Sequence, residues 1–113
     1  MVTTAVELDN AISNFIQRLQ EGLRLEAVVL YGSHAGGNPR EWSDIDLAVI
    51  SPDFENIPLN KRQEMISRLT VHRYADIAPI GYPASEYRNP GRHSFLREIV
   101  RTGKVVYQTP SGQ

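Results

Sequence analysis

The 113-residue sequence contains no cysteine. Disulfides, thiolate metal sites and cysteine nucleophiles are therefore excluded. The absence suits a reducing compartment but is compatible with any. An excess of charge of one sign is also missing. Twelve Lys and Arg stand against 13 Asp and Glu, for a net charge of -1. No global basic field exists to capture nucleic acid, so direct nucleic-acid binding is not expected. No stretch approaches the roughly 20 apolar residues of a membrane span. The opening MVTTAVELDN has no basic start and no long apolar run. The expectation is a cytoplasmic chain without a membrane partner. Internal repeats, linkers and low-complexity blocks are lacking too. What remains, 41% hydrophobic and 22% charged, is enough for one core. The expectation is a single domain over residues 1–113, with a loose tail at 108–113.

Periodicity orders that domain. Thr4 and Glu7 form a capping-box pattern ahead of Leu8, Ile12, Phe15, Ile16 and Leu19, which are helically spaced. Gly22 stands where a left-handed residue ends such a helix. EAVVLY (26–31) is a β-branched and aromatic strand, and residues 44–50 form a second. Asn60 is expected to cap a helix to about His72, with Met65, Ile66 and Leu69 inward. ADIAPI (75–80) is a third strand, and Pro79 indicates either an edge position or the end of that strand. Asn89-Pro90 reads as the start of a last helix, with Phe95, Leu96, Ile99 and Val100 inward and Gly103 at its end. Val105–Tyr107 is a fourth strand. The fold class is therefore α/β (α+β): a small mixed sheet of about four strands with helices packed on it.

The chemistry concentrates in LYGSHAGGNPREWSDIDLAVIS, residues 30–51. Strand side chains alternate, so Asp44 and Asp46 share a face while Ile45 and Leu47 take the other. Two carboxylates that close repel and raise each other's pKa unless a cation intervenes. With oxygen ligands only, a hard ion is indicated, Mg²⁺ or Mn²⁺. The competing reading is a solvated edge strand, against which stands the depletion of Asp in strands. Gly32-Ser33 ends the preceding strand in a turn whose free amides and hydroxyl can cradle phosphate oxygens, although Gly-Ser is also a common plain turn. Asp76, in an otherwise apolar strand, is a third carboxylate that could join the pair. It could also accept the proton of an attacking hydroxyl.

Gly32-Ser33, ten intervening residues and then Asp44-Ile45-Asp46 resembles the GS-x10-D-x-D signature of the DNA polymerase β-like nucleotidyltransferase superfamily. The short length is similar to the minimal nucleotidyltransferases (MNT), some of which are antitoxin halves of HEPN–MNT toxin–antitoxin pairs. The resemblance covers about Val28 to Ile80. It implies a nucleoside triphosphate donor, ATP in the antitoxin branch, with two Mg²⁺ ions and release of pyrophosphate. It also implies that Gly32 and Ser33 hold the β and γ phosphates. Asp44 and Asp46 would bind both metals, and Asp76 would bind the catalytic metal and help deprotonate the acceptor. In that branch the acceptor is a tyrosine hydroxyl of a HEPN-type partner. Many members read GS-x-A-R-G, whereas this chain reads GSHAGG: Gly36 replaces an arginine, and His34 or Arg40 could supply the lost cation. Ala75 and Pro79 stand where bulkier residues are usual.

Other residues are open to plainer readings. Trp42 is expected to pack on the core or its rim rather than stack on a base. His72 and Arg73 suit a solvated or helix-capping role. Lys61, Arg62, Arg68 and Arg73 suit a solvated helix face better than a contact for an acidic partner. Arg88, Arg92, His93, Arg97 and Arg101 form a second basic set, from which Arg92 or Arg97 could reach a triphosphate tail. The edge near Val105–Tyr107 could pair with a second copy, giving a homo-oligomer, or with the partner. Two further functions stay open beside transfer to a protein. One is a binding subunit that neutralises a partner by surface contact. The other is a nucleotidyltransferase subunit acting on a small molecule.

Overall fold

The computed structural model describes residues 4–35, 44–70 and 76–109. Its described elements run α1 (Ala5–Gln20), β1 (Ala27–Tyr31), β2 (Ile45–Ser51), α2 (Leu59–Thr70), β3 (Ile77–Pro83), α3 (Ala84–Arg88), α4 (Phe95–Thr102) and β4 (Lys104–Gln108). Single 3-10 turns at Gly32–His34 and Pro52–Phe54 follow β1 and β2. The four strands form one mixed sheet in the order β3-β2-β1-β4. β1 is antiparallel to both β2 and β4, while β2 and β3 are parallel. Pro79 therefore sits in an edge strand, as its missing N–H requires. The expected α/β fold with about four strands is the one observed.

The alternation along the strands divides the core in two. Val28, Leu30, Ile45, Leu47, Val49 and Ile77 face α1 and α2, meeting Ile12, Phe15, Ile16, Leu19 and Ile66. Ala27, Val29, Ala48 and Ile50 face α3 and α4, meeting Ala84, Leu96 and Ile99. Each large apolar side chain buried in this way stabilises by about 1.5–3 kcal/mol relative to exposure. The α1 stripe follows the expected spacing, and Thr4 Oγ1 accepts from the Glu7 N–H at 3.1 Å.

Local details depart from the sequence expectations for identifiable reasons. Gly22 is not left-handed. Its value is space, because a Cβ there would come within 2.5 Å of Leu69 Cδ2 where α1 meets α2. α2 begins at Leu59, so Asn60 lies inside its first turn, and the Lys61 and Arg62 N–H groups donate to the Pro58 carbonyl. Ile66 alone of the three expected inward residues is fully buried; Met65 and Leu69 are partly so. α4 begins at Phe95, not at Asn89-Pro90. The Asn89 N–H donates to the Ser85 carbonyl and so closes α3, while Ser94 Oγ accepts from the Arg97 N–H and caps α4. Only Leu96 and Ile99 of α4 reach the core, whereas Phe95 is 58% and Val100 40% exposed. Gln108 closes β4, and Thr109 is fixed by two hydrogen bonds to the Glu26 carbonyl at 2.9 and 3.0 Å. The loose tail thus cannot begin at 108. Gly36, Arg40, Trp42, His72, Arg73 and Ala75 lie outside the described residues, as do residues 110–113.

Candidate active site

The sheet brings the Gly-Ser turn and the Asp-x-Asp strand together through one pairing. β1 and β2 run antiparallel with Tyr31 opposite Asp46. The residue after Tyr31 is Gly32, which adopts φ +76°, a left-handed conformation that costs other residues roughly 1–2 kcal/mol. A Cβ at Gly32 would come inside 3.0 Å of Asp46 Oδ2 and within 3.2 Å of Cγ. Glycine is required here twice over, by its backbone angle and by the carboxylate against it. Ser33 follows in the 3-10 turn, which His34 ends.

Asp44 is exposed just before β2, and Asp46 is half-buried within it, on the face shared with Ala48 and Ile50. Burial raises the Asp46 pKa first, and the Asp44 charge raises it further, partly offset by the charge of His34. The two acids are therefore close enough to repel, as their spacing predicted. Asp76 is tethered beside them through its main chain: its carbonyl accepts from the Ile45 N–H at 2.7 Å, immediately before β3 pairs with β2. Among the described residues no three His, Cys, Asp or Glu side chains converge closely enough for a metal. The structure thus pairs Asp44 with Asp46, and it brings the Asp76 backbone alongside without closing a three-carboxylate cluster. The pair suits a hard divalent cation: its acids are oxygen donors on one face, one has a raised pKa, and a bare glycine Cα leaves the approach open.

Tyr31 is a member of this site that sequence reasoning missed. Burial, then the Asp46 and Tyr82 charges, push its pKa up to about 12, so it is neutral at physiological pH. Phe95 stands edge-on to its ring, with centroids 5.8 Å apart and an interplanar angle of 84°. Its only signal in the sequence was its place at the end of β1, before Gly32.

The described members of the basic sets are exposed, as expected of solvated faces, except Arg62. Arg62 donates to the Ile57 and Gly81 carbonyls and locks α2 onto β3. Lys61 and Arg68 both pair with Glu64. Arg88 pairs with Glu26, and Arg101 with Glu98. Among the described residues no helix is long and apolar enough to cross a membrane.

A mixed α/β sheet with a left-handed glycine turn packed against an acid pair points to enzymes that work on nucleotides. The chain belongs to the Polymerase beta, Nucleotidyltransferase family, whose model matches residues 10–111; it is a nucleotidyltransferase. Two proteins of Methanocaldococcus jannaschii, each named "Putative protein adenylyltransferase", are similar to it. One is 27% identical over 108 residues, covering 88% of this chain and 71% of the relative. The other is 26% identical over 102 residues, covering 88% and 97%. Two solved structures share the fold. A nucleotidyltransferase of Sulfolobus solfataricus, so described with the qualifier "putative", superposes with a TM-score of 0.70 at 17% identity, covering 91% of this chain and 82% of its own. A toxin–antitoxin structure containing AMP-PNP superposes with a TM-score of 0.59 at 25% identity, covering 89% and 73%.

Proposed function

We propose that this chain transfers AMP from ATP to a hydroxyl of a protein partner in the cytoplasm, the partner being a HEPN-type toxin modified on a tyrosine, so that the chain acts as its antitoxin. The observation that carries this reading is the contact between left-handed Gly32 and the Asp46 carboxylate, with Asp44 beside it, in a chain of the Polymerase beta, Nucleotidyltransferase family. The names of the Methanocaldococcus relatives support a protein acceptor, and the toxin–antitoxin neighbour with AMP-PNP supports an ATP donor and a toxin partner.

In this reading Gly32 and Ser33 cradle the β and γ phosphates, since a glycine backbone lets phosphate oxygens approach the turn amides. Asp44 and Asp46 would hold Mg²⁺, with Mn²⁺ as the substitute, and Asp76 would join them only by turning its carboxylate toward the pair. When bound, the divalent ions offset the negative charge gathered at the transferred phosphorus and the departing pyrophosphate. Asp76 takes the proton of the acceptor hydroxyl. That oxygen forms its bond to the α phosphorus as the bond to the bridging oxygen breaks, and pyrophosphate leaves.

The experiment is label transfer to a co-expressed partner from ATP carrying ³²P at the α or the γ position. The proposal expects labelling from the α position only, lost in Asp44→Asn/Asp46→Asn. Label from the γ position would mean phosphoryl transfer, and no label from either would remove the enzymatic reading.

A further inference from the structure

A cavity of about 490 Å³ opens on α4, with Arg92, His93, Phe95 and Arg97 among its lining residues. Every other arginine among the described residues has a partner: Arg18, Arg24, Arg68, Arg88 and Arg101 pair with acids, and Arg62 donates to carbonyls. Glu98, the one acid lining the cavity, is paired with Arg101, while Arg92 and Arg97 have no ion pair among the described residues, so the cavity presents uncompensated positive charge in a chain whose net charge is -1. Phe95 ties this cavity to the candidate active site. It lines the cavity, its ring stands against Tyr31, and Tyr31 faces Asp46 across the β1–β2 ladder. One aromatic pair therefore separates the free arginines from the acid pair. Neither Gly32, Asp44 nor Asp46 lines the cavity, which argues against its holding the triphosphate, because that group must lie against those residues. Two free arginines without a wider basic field suit a short acidic segment better than a nucleic-acid backbone.

We infer that the α4 cavity docks an acidic stretch of the acceptor polypeptide, with Arg92 and Arg97 pairing its carboxylates while the neighbouring hydroxyl reaches past Phe95 to the acids. This rests on the proposed transfer to a protein hydroxyl and adds how that protein is recognised. The probes are fluorescein-labelled random copolymers of Glu with Tyr and of Lys with Tyr, followed by anisotropy. They are applied to the wild type, Arg92→Ala/Arg97→Ala and Arg92→Glu/Arg97→Glu, with Mg-ATP titrated into the same proteins. The expected result is salt-sensitive binding of the Glu-Tyr copolymer alone. It should weaken roughly tenfold in the alanine variant and further on charge reversal, with Mg-ATP affinity held within about twofold. Equal binding of both copolymers, or undiminished binding by the variants, would overturn the inference. A parallel loss of Mg-ATP affinity would overturn it in favour of a triphosphate role, and tighter competition by a single-stranded oligonucleotide in favour of nucleic acid. Copolymer binding needs no catalysis, so a failure of AMP transfer counts against the proposed function while anisotropy still decides the docking site.

Discussion

Gly32→Ala perturbs the point where the turn and the acid strand meet, and its cost can be worked out in two parts. The first is the backbone. Gly32 sits at φ +76°, where an alanine pays roughly 1–2 kcal/mol. The second is the new Cβ, which would lie inside 3.0 Å of Asp46 Oδ2 and 3.2 Å from Cγ. The carboxylate must rotate off its position, at about 0.5–1.5 kcal/mol for a strained rotamer. The sum is roughly 1.5–3.5 kcal/mol, a fall in Tm of about 6–14 °C at about 4 °C per kcal/mol for a domain of this size. Thermal melts measure the total, and a double-mutant cycle separates the parts. In an Asp46→Ala background the carboxylate is gone, so Gly32→Ala should cost only the backbone share. Its effect on nucleotide is expected to exceed its effect on stability: Mg-dependent ATP affinity of the folded variant should fall at least roughly tenfold, because the displaced acid no longer faces the turn. Equal costs in the two backgrounds, with unchanged Mg-ATP affinity, would refute the idea that Gly32 is there to admit the Asp46 carboxylate.

Asp46→Asn should leave Tm unchanged or raised in the absence of metal, while removing Mg-dependent nucleotide binding. Burial and the Asp44 charge raise the Asp46 pKa, so its ionised form opposes folding. That penalty is present above the raised pKa and is relieved as pH falls through it. The stability gap between variant and wild type should therefore narrow on acidification, as Tm against pH will show. Asp53 behaves in the opposite sense. Burial alone would raise its pKa, but hydrogen bonds from the Arg24 side chain and backbone, together with the Arg24 charge, bring it below the usual value. Its stabilisation is thus present above the unfolded carboxylate pKa and lost as pH falls through the lowered one. Asp53→Ala should cost about 0.5–1 kcal/mol at neutral pH and low salt, and less in high salt, since Arg24 is largely exposed. Phe54→Ala removes a ring with no exposed surface that packs under Gly81. A loss of about 3–5 kcal/mol is expected in denaturant titrations, and a loss under 1 kcal/mol would mean that the second turn is not anchored by that ring.

Much of the scaffold could be read from period and punctuation. Ile12, Phe15, Ile16 and Leu19 recur at helical spacing and face the sheet, and the alternation in IDLAVIS places Asp46 on the opposite face from Ile45 and Leu47. Pro79 pointed to an edge or a strand end because a missing donor is a local property, and the sheet order makes it an edge. What could not be read depends on neighbours distant in the chain. Gly22 looked like a helix terminator because glycine often is one, but only the approach of Leu69 shows that a Cβ there would make the Leu69 side chain shift. Asn89-Pro90 carries a start signal for a helix, yet in three dimensions Asn89 closes the short α3, and the quieter Ser94 takes the cap. Arg62 read as one of a solvated set until β3 offered it the Gly81 carbonyl. Tyr31 carried no motif at all. Its place against Asp46 follows from the antiparallel register of β1 and β2, which no local motif announces. The spacing of Asp44 and Asp46 was legible because it is a property of one short stretch; where Asp76 comes to lie depends instead on how two parallel strands meet at their starts.

The central question for this site is whether the two acids hold divalent ions for a triphosphate. Calorimetric titration of ATP, with and without Mg²⁺, into the wild type and Asp44→Asn/Asp46→Asn measures this. The expected result is binding by the wild type that requires Mg²⁺ and disappears in the double variant, whose fold is verified by an unchanged or higher Tm. Binding of equal strength with and without Mg²⁺, or in both proteins, would contradict it.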